Sequence, residues 1–173
     1  MMSEKEAIAL LKKYAPSEEA FKKVYNHSKK VQEISLRFAE GKKVDKEFIK
    51  AAALLHDIGR LECPPGKGSI THGIAGASIL RKEGLPEKFA LVCERHLGAG
   101  ISKEDIKEQK LPLPLKDYLP LSAEEKIIAH SDNLVFGDKE GSFALVIERF
   151  RKELGEKAVE RFKKLKEDVE NLA

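Results

Sequence analysis

Apolar residues recur at helical spacing along most of this chain. Phe21, Val24, Tyr25, Val31, Ile34, Leu36 and Phe38 form one such series, which stops at Gly41. Ser17 stands where it can cap that helix. Upstream, Ser3 and Glu6 have the spacing of a capping box, and the short helix they open has to end before Pro16. Asp45 can cap a third helix through Phe48, Ile49, Ala52, Leu55 and His56. Thr71 can cap a fourth that ends at Gly84, and Pro86 suits the first turn of a fifth ending near His96. Ser122 and Glu125 predict another capping box, opening a helix through Ile127, Ile128 and Leu134. Two helices fill 142–173, with a break near Gly155. The second carries Val159, Phe162, Leu165 and Val169, a stripe that suits the core better than a partner. No stretch shows sustained strand alternation. The pattern predicts an all-α protein, a single irregular helical bundle over 1–173.

Two segments break the pattern. "ECPPGKGSI", Glu62 to Ile70, is a Pro- and Gly-rich loop. "LPLPLKDYLPL", Leu111 to Leu121, alternates Leu and Pro, which removes backbone donors and favours extended chain. It is expected to strap the core, with a wall of a substrate pocket as the alternative.

Composition narrows the functional classes. The chain has 173 residues, of which 42% are hydrophobic and 35% charged. That charge content exceeds the usual ~25%, and with scarce Asn and Gln it hints at a thermophilic source. A net charge of +3 gives no reason to expect specific nucleic-acid or membrane binding. The start, "MMSEKEAIAL", lacks the apolar core of a secretion signal, and no apolar run is long enough to span a bilayer. A cytoplasmic protein, monomeric or homodimeric, is expected. Cys63 and Cys93 form no CxxC pair, so neither a zinc knuckle nor a disulfide framework is indicated.

Chemistry enters at "AALLHDIGRL", Ala52 to Leu61. An apolar helix runs into His56 and Asp57, where water is being excluded. A charge there is costly unless compensated, and a metal ion would compensate it. Further His and Asp residues follow in order: His27, His56 with Asp57, His72, His96 and Asp132. Imidazole and carboxylate donors suit Fe, Mn, Zn, Ni or Co. Six groups exceed the need of one ion and match two ions bridged by a carboxylate. Asp57, at the helix end, can reach both. His27 and Asp132 would complete the first site, and His72 and His96 the second. His130 lies two residues before Asp132, ~200° around the same helix, and should face away.

The ordered set resembles the HD-domain superfamily of metal-dependent phosphohydrolases. That family's pattern is a leading His, an adjacent His-Asp pair and a distal Asp, matched by His27, His56 with Asp57, and Asp132. "HDIGR" is close to the HDIG form of the motif, and His72 with His96 matches the subset that binds two metals. The resemblance covers roughly Val24 to Phe136. It implies about two divalent ions per chain and hydrolysis of a nucleotide or similar small phosphoester by a metal-activated hydroxide. The same six ligands also occur in di-iron oxygenases of the superfamily. A non-catalytic, metal-stabilised module is the remaining alternative.

Phosphoryl groups need cations. Arg60, one turn after Asp57, can aim a planar fork at a phosphate, which would make Asp57 and Arg60 the catalytic pair. Lys67, in the Gly-flanked "PGKGS", and Arg95, beside His96, are further substrate-binding candidates. Lys67 does not belong to a Walker P-loop, because the GxxxxGK[ST] spacing is absent.

Overall fold

Capping chemistry sets most of the helix starts. In the computed structural model, which describes residues 1–66 and 69–173, Ser3 and Glu6 close a full capping box on α1 (Glu4–Tyr14). Ser17 caps α2 (Glu18–Phe38), and Asp45 caps α3 (Lys46–Leu55). Then come α4 (His72–Lys82), α5 (Glu87–Arg95), α6 (Lys103–Gln109) and α7 (Ala123–Asn133). A two-stranded antiparallel hairpin, β1 (Val135–Phe136) and β2 (Lys139–Glu140), precedes α8 (Phe143–Glu153) and α9 (Glu156–Glu170). The all-α expectation is met.

Several local expectations need correction. Thr71 provides no side-chain cap to α4. It is the last residue of a 3₁₀ turn, Ser69–Thr71, that runs straight into the helix. The box at Ser122 is only half formed: Ser122 accepts from the Glu125 amide, but the Glu125 carboxylate turns to the amide of Leu121. Helix α6 was not anticipated, although Ser102 and Asp105 form a complete capping box at its start. The Leu-Pro segment does not strap the core. Only Tyr118 and Pro120 are buried, while Leu115 and Leu121 face solvent and Leu111 reaches a cleft described below.

Helix α3 is the centre of the bundle. Its sequence, KEFIKAAALL, is apolar on nearly every side after the first turn, and such a helix is stable only when surrounded. Phe48, Ile49 and every residue from Ala51 to Leu55 are buried, and α1, α2, α5 and α7 pack around them. The three consecutive alanines let those neighbours approach. The last turn of α3 therefore delivers His56 and Asp57 to the middle of the molecule.

The C-terminal helices are held to this bundle by stacked rings. His130 of α7 meets Phe38 edge-on at 4.9 Å and stacks on Phe162 of α9 at 5.3 Å. Phe143 and Phe150 of α8 close around Phe162 at 5.3 and 5.2 Å. The stripe Val159, Phe162, Leu165 and Val169 is buried, as its spacing requires. His130 does face away from Asp132. Its Nδ1 is buried without a hydrogen-bond partner among the described residues, and burial, aided by nearby Lys166, pushes the ring down to about 4.

A consequence for acid stability follows. An unfolded His titrates near 6.5, so the His130 contribution is complete above that value and is lost as pH falls from ~6.5 through 4. A shift of that size corresponds to a loss of about 3 kcal/mol. We expect urea unfolding to give a stability difference between the parent and His130→Gln that shrinks on going from pH 7 to 4.5. A difference that stays constant over that range would contradict a buried neutral ring.

Candidate metal centre

Three of the four histidines sit where the backbone leaves carbonyls unpaired. His56 follows α3, and His96 follows α5, each at the C-cap position. The last carbonyls of a helix lack intrahelical donors. His56 Nδ1 donates to the Ala53 carbonyl at 2.7 Å, and His96 Nδ1 to that of Cys93 at 2.8 Å. His72 does the same with Ser69, at the 3₁₀ turn, at 2.6 Å. Each bond spans three residues and swings the ring so that Nε2 points inward. His27, in mid-helix, has no such local carbonyl. Its Nδ1 donates instead to Gly137, at 2.7 Å, in the turn of the β1–β2 hairpin.

That hairpin turn was missed in the sequence. Its signal is the pair Gly137-Asp138 between two short extended runs, with Gly137 at φ 67° in the first central position. Gly137 thus contributes a carbonyl to the site rather than a side chain.

Carbonyls only accept, so all four Nδ1 atoms carry hydrogens, and it is Nε2 that each ring turns inward, to bind a metal through its lone pair or to carry a proton. These converge on the two carboxylates. Asp57 Oδ1 lies 3.1 Å from His72 Nε2 and 3.2 Å from His96 Nε2. Its other oxygen, Oδ2, lies 3.5 Å from His27 Nε2 and 3.9 Å from His56 Nε2. Asp132 Oδ1 approaches the same two rings at 2.8 and 3.3 Å. The six expected ligands are therefore brought together, with Asp57 between two pairs of rings.

His72 and His96 decide what such a cluster can hold. Their Nε2 atoms are 3.0 Å apart. Two lone pairs at that distance repel unless a proton or a metal ion lies between them. Ligands ~2.1 Å from one ion and ~90° apart are about 3 Å from each other, so the spacing fits a shared metal ion. The trios His27–His56–Asp57, His56–His96–Asp132 and Asp57–His72–His96 each place their donor atoms within 4.8 Å of one another.

Protonation follows the same geometry. Burial opposes charge on His27, but the hydrogen bond to Asp132 and both carboxylate charges prevail and push the ring up to about 9. Burial likewise opposes charge on His56, and the charges of Asp57 and Asp132 outweigh it. Asp57 and Asp132 are held below the ordinary carboxylate range, because the surrounding rings overcome the cost of burial. Burial lowers His96. Protonated rings such as His27 thus balance the two carboxylates, and a bound metal ion would take the place of those protons.

Gly59 closes the arrangement by allowing a close backbone approach. Its φ is not positive, and a Cβ there would lie 1.9 Å from the His72 carbonyl oxygen and 2.6 Å from the Gly76 amide. The 3₁₀ turn Ile58–Leu61 packs directly on the backbone of α4, which fixes where His72 stands.

Two clefts meet at the cluster. One, of about 530 Å³, runs from His27, Asp57 and Asp132 to the face of α8 and α9. The other, of about 490 Å³, lies beside Lys23 and Pro64 and shares His27, Asp57 and Arg60 with the first. Arg60 stands at the junction, its Nε 3.9 Å from Asp57 Oδ1 and its Nη1 buried without a hydrogen-bond partner among the described residues. Arg95 must be withdrawn as a substrate-binding candidate. Its guanidinium pairs with buried Glu125 at 3.0 Å and lines neither cleft. Lys67 lies outside the described residues. Arg149 and Asn133, both on the larger cleft, were not foreseen.

An all-α bundle with an ordered His/Asp cluster at its centre defines a class of metal-site proteins. The HD domain family model matches residues 24–137, and the chain belongs to that family. An uncharacterized protein of Methanocaldococcus jannaschii is 47% identical over 135 residues, 77% of this chain and 76% of its own. The tRNA (cytidine(56)-2'-O)-methyltransferases of Thermoplasma volcanium and Picrophilus torridus are 40% and 38% identical over 94% and 90% of this chain. The chain spans only 45% and 44% of those two proteins. The HD domain of the phosphodiesterase PgpH of L. monocytogenes superposes with a TM-score of 0.56 at 19% identity, over 94% of both chains. The same domain in complex with cyclic-di-AMP gives 0.56 at 17%. These structures share the fold. Among the described residues, no helix is long and apolar enough to cross a membrane.

The Gly59 contact makes a direct prediction. Gly59→Ala should push the turn off α4 and lower stability by about 1–3 kcal/mol, the usual cost of overpacking. Urea unfolding measures this, and an unchanged midpoint would mean that α4 is free to shift and does not fix His72.

Proposed function

We propose that this protein is a metal-dependent phosphohydrolase or phosphodiesterase that hydrolyses a nucleotide or a related small phosphoester. The observation that carries the reading is the division of Asp57: one oxygen faces His27 and His56, the other His72 and His96. His27, His56, Asp57 and Asp132 would hold one divalent ion, and Asp57, His72 and His96 a second. Fe, Mn, Zn, Ni and Co all accept such donors. When bound, two such ions supply a hydroxide at neutral pH and neutralise phosphoryl oxygens.

The chain's own contribution is positioning. The carbonyls of Ala53, Ser69, Cys93 and Gly137 lock the rings, so little reorganisation accompanies ligand binding. Arg60, whose side chain lines both clefts, binds the phosphoryl group. The two clefts receive the groups on either side of it. The domain reading, 1–173 with a metal-binding core at about 24–136, belongs to this proposal.

The named relatives guide the choice of substrates. The PgpH domain is a phosphodiesterase seen with cyclic-di-AMP, and two longer relatives are named for tRNA. Cyclic dinucleotides, linear dinucleotides, nucleotides and phosphorylated RNA ends therefore form the first panel. We expect the metal-loaded protein to hydrolyse at least one of them without oxygen. Turnover that requires oxygen and reduced iron, with no phosphoester cleaved, would favour the oxygenase alternative and overturn this one.

Two sets of variants test the assigned roles. The parent should hold about two ions per chain, and His72→Ala combined with His96→Ala should hold one, by elemental analysis. Two ions retained in the double variant would remove the second site. Arg60→Ala should keep both ions yet lose roughly 10²-fold or more in kcat/KM, the usual effect of deleting a charge-stabilising donor. Arg60→Lys should restore only part, since it lacks the fork. Full metal with unchanged turnover in Arg60→Ala would leave Arg60 as a structural partner of Asp57.

A further inference from the structure

The larger cleft ends on a cationic wall built from helices that lie beyond the family match at 24–137. Arg149 of α8 and Lys157 and Arg161 of α9 all face it. Two of these cations are already neutralised. Arg161 Nη1 lies 2.6 Å from Asp105 and donates to the Gly100 carbonyl at 2.8 Å. Lys157 lies 3.3 Å from Asp105 and 3.6 Å from Glu108.

Arg149 differs. Among the described residues it pairs with no carboxylate, although Glu153 stands one turn further along α8 on the same cleft. Its one hydrogen bond runs from Nη2 to the Asn133 carbonyl at 3.2 Å. The guanidinium lies 4.5 Å over the Phe136 ring and 5.6 Å from that of Phe150. A carbonyl and an aromatic face orient a guanidinium without cancelling its charge. The half-buried cation therefore keeps its charge and its remaining donors for something in the cleft.

Its anchorage couples it to the metal centre. Asn133 directly follows the ligand candidate Asp132, and its side chain is locked by the Gly98 and Ala129 carbonyls at 2.7 and 2.9 Å. Phe136 belongs to the hairpin whose turn orients His27. Arg149 is thus held at a set position relative to both Asp132 and His27.

We propose that Arg149 binds a second, non-scissile phosphoryl group of the substrate. The inference rests on the phosphohydrolase reading and narrows it: the preferred substrate carries one phosphoryl group at the His/Asp cluster and another anionic group at α8. Bisphosphorylated nucleosides and dinucleotides have this character, and simple monoesters lack it. A cleft of about 530 Å³ has room for a ligand of that size.

The test is calorimetric binding to the metal-loaded protein, with adenosine 3′,5′-bisphosphate compared against adenosine 5′-monophosphate. Arg149→Met keeps an apolar stem on Phe136 and removes the charge together with the hydrogen bond to the Asn133 carbonyl. It should weaken the bisphosphate ~10-fold or more, the usual effect of losing a charge-assisted hydrogen bond, and leave the monophosphate nearly unchanged. Arg149→Lys should recover part of the loss. Equal affinity of the parent for the two ligands would overturn the proposal. So would an Arg149→Met variant that melts at lower temperature but binds both ligands as the parent does, because Arg149 would then serve only the end of α7. Binding is read separately from turnover. A protein with Arg149-dependent preference for the bisphosphate that hydrolyses no phosphoester retains this anion site and loses the phosphohydrolase reading.

Discussion

A carboxylate at the buried end of a helix sets the terms for this molecule. Helix α3 is buried at every residue from Ala51 onward, and Asp57 follows it with only 9% of its surface exposed. An ionised group in that position needs compensation on every side that water has left. The four imidazoles and the close approach of Arg60 supply part of it, and a bound cation would supply the rest. Removing the rings would leave Asp57 stranded in the core, so the site and the stability of the bundle are one problem.

The protein meets this constraint with its backbone. Helix ends have spare carbonyls, and the chain places histidines there, so that satisfying a main-chain acceptor also aims a ring. His56, His72 and His96 all use the carbonyl three residues earlier. The glycine that follows the His-Asp pair serves the same end, because only a residue without Cβ lets the 3₁₀ turn lie against the His72 carbonyl. Ring orientation at His56, His72 and His96 is thus a product of local chain geometry, while His27 is aimed by the distant carbonyl of Gly137.

Substrate-facing groups are built differently. Arg60 stands between two clefts that share the cluster, and the larger cleft is completed by α8 and α9. Those helices are fastened through the stack of Phe38, His130, Phe162, Phe143 and Phe150, on the far side of α7 from Asp132. One face of α7 therefore serves the metal centre while the opposite face holds the wall of the cleft. A neutral, buried His130 belongs to that second task.

Much of this was legible in the sequence. Periodicity and capping residues identify most helices, because both are local: a side chain bonding three residues away or a stripe along one face needs no knowledge of the rest of the fold. The six His and Asp residues also stand out, since polar groups at the ends of apolar helices demand a common explanation. Tertiary structure alone decided which atoms meet. That Asp57 divides its oxygens between two ring pairs, that Glu125 claims Arg95, and that Arg149 reaches the cleft all depend on contacts between residues far apart in the chain. Such contacts leave no periodic trace, because their partners are selected by packing geometry and not by spacing along the backbone.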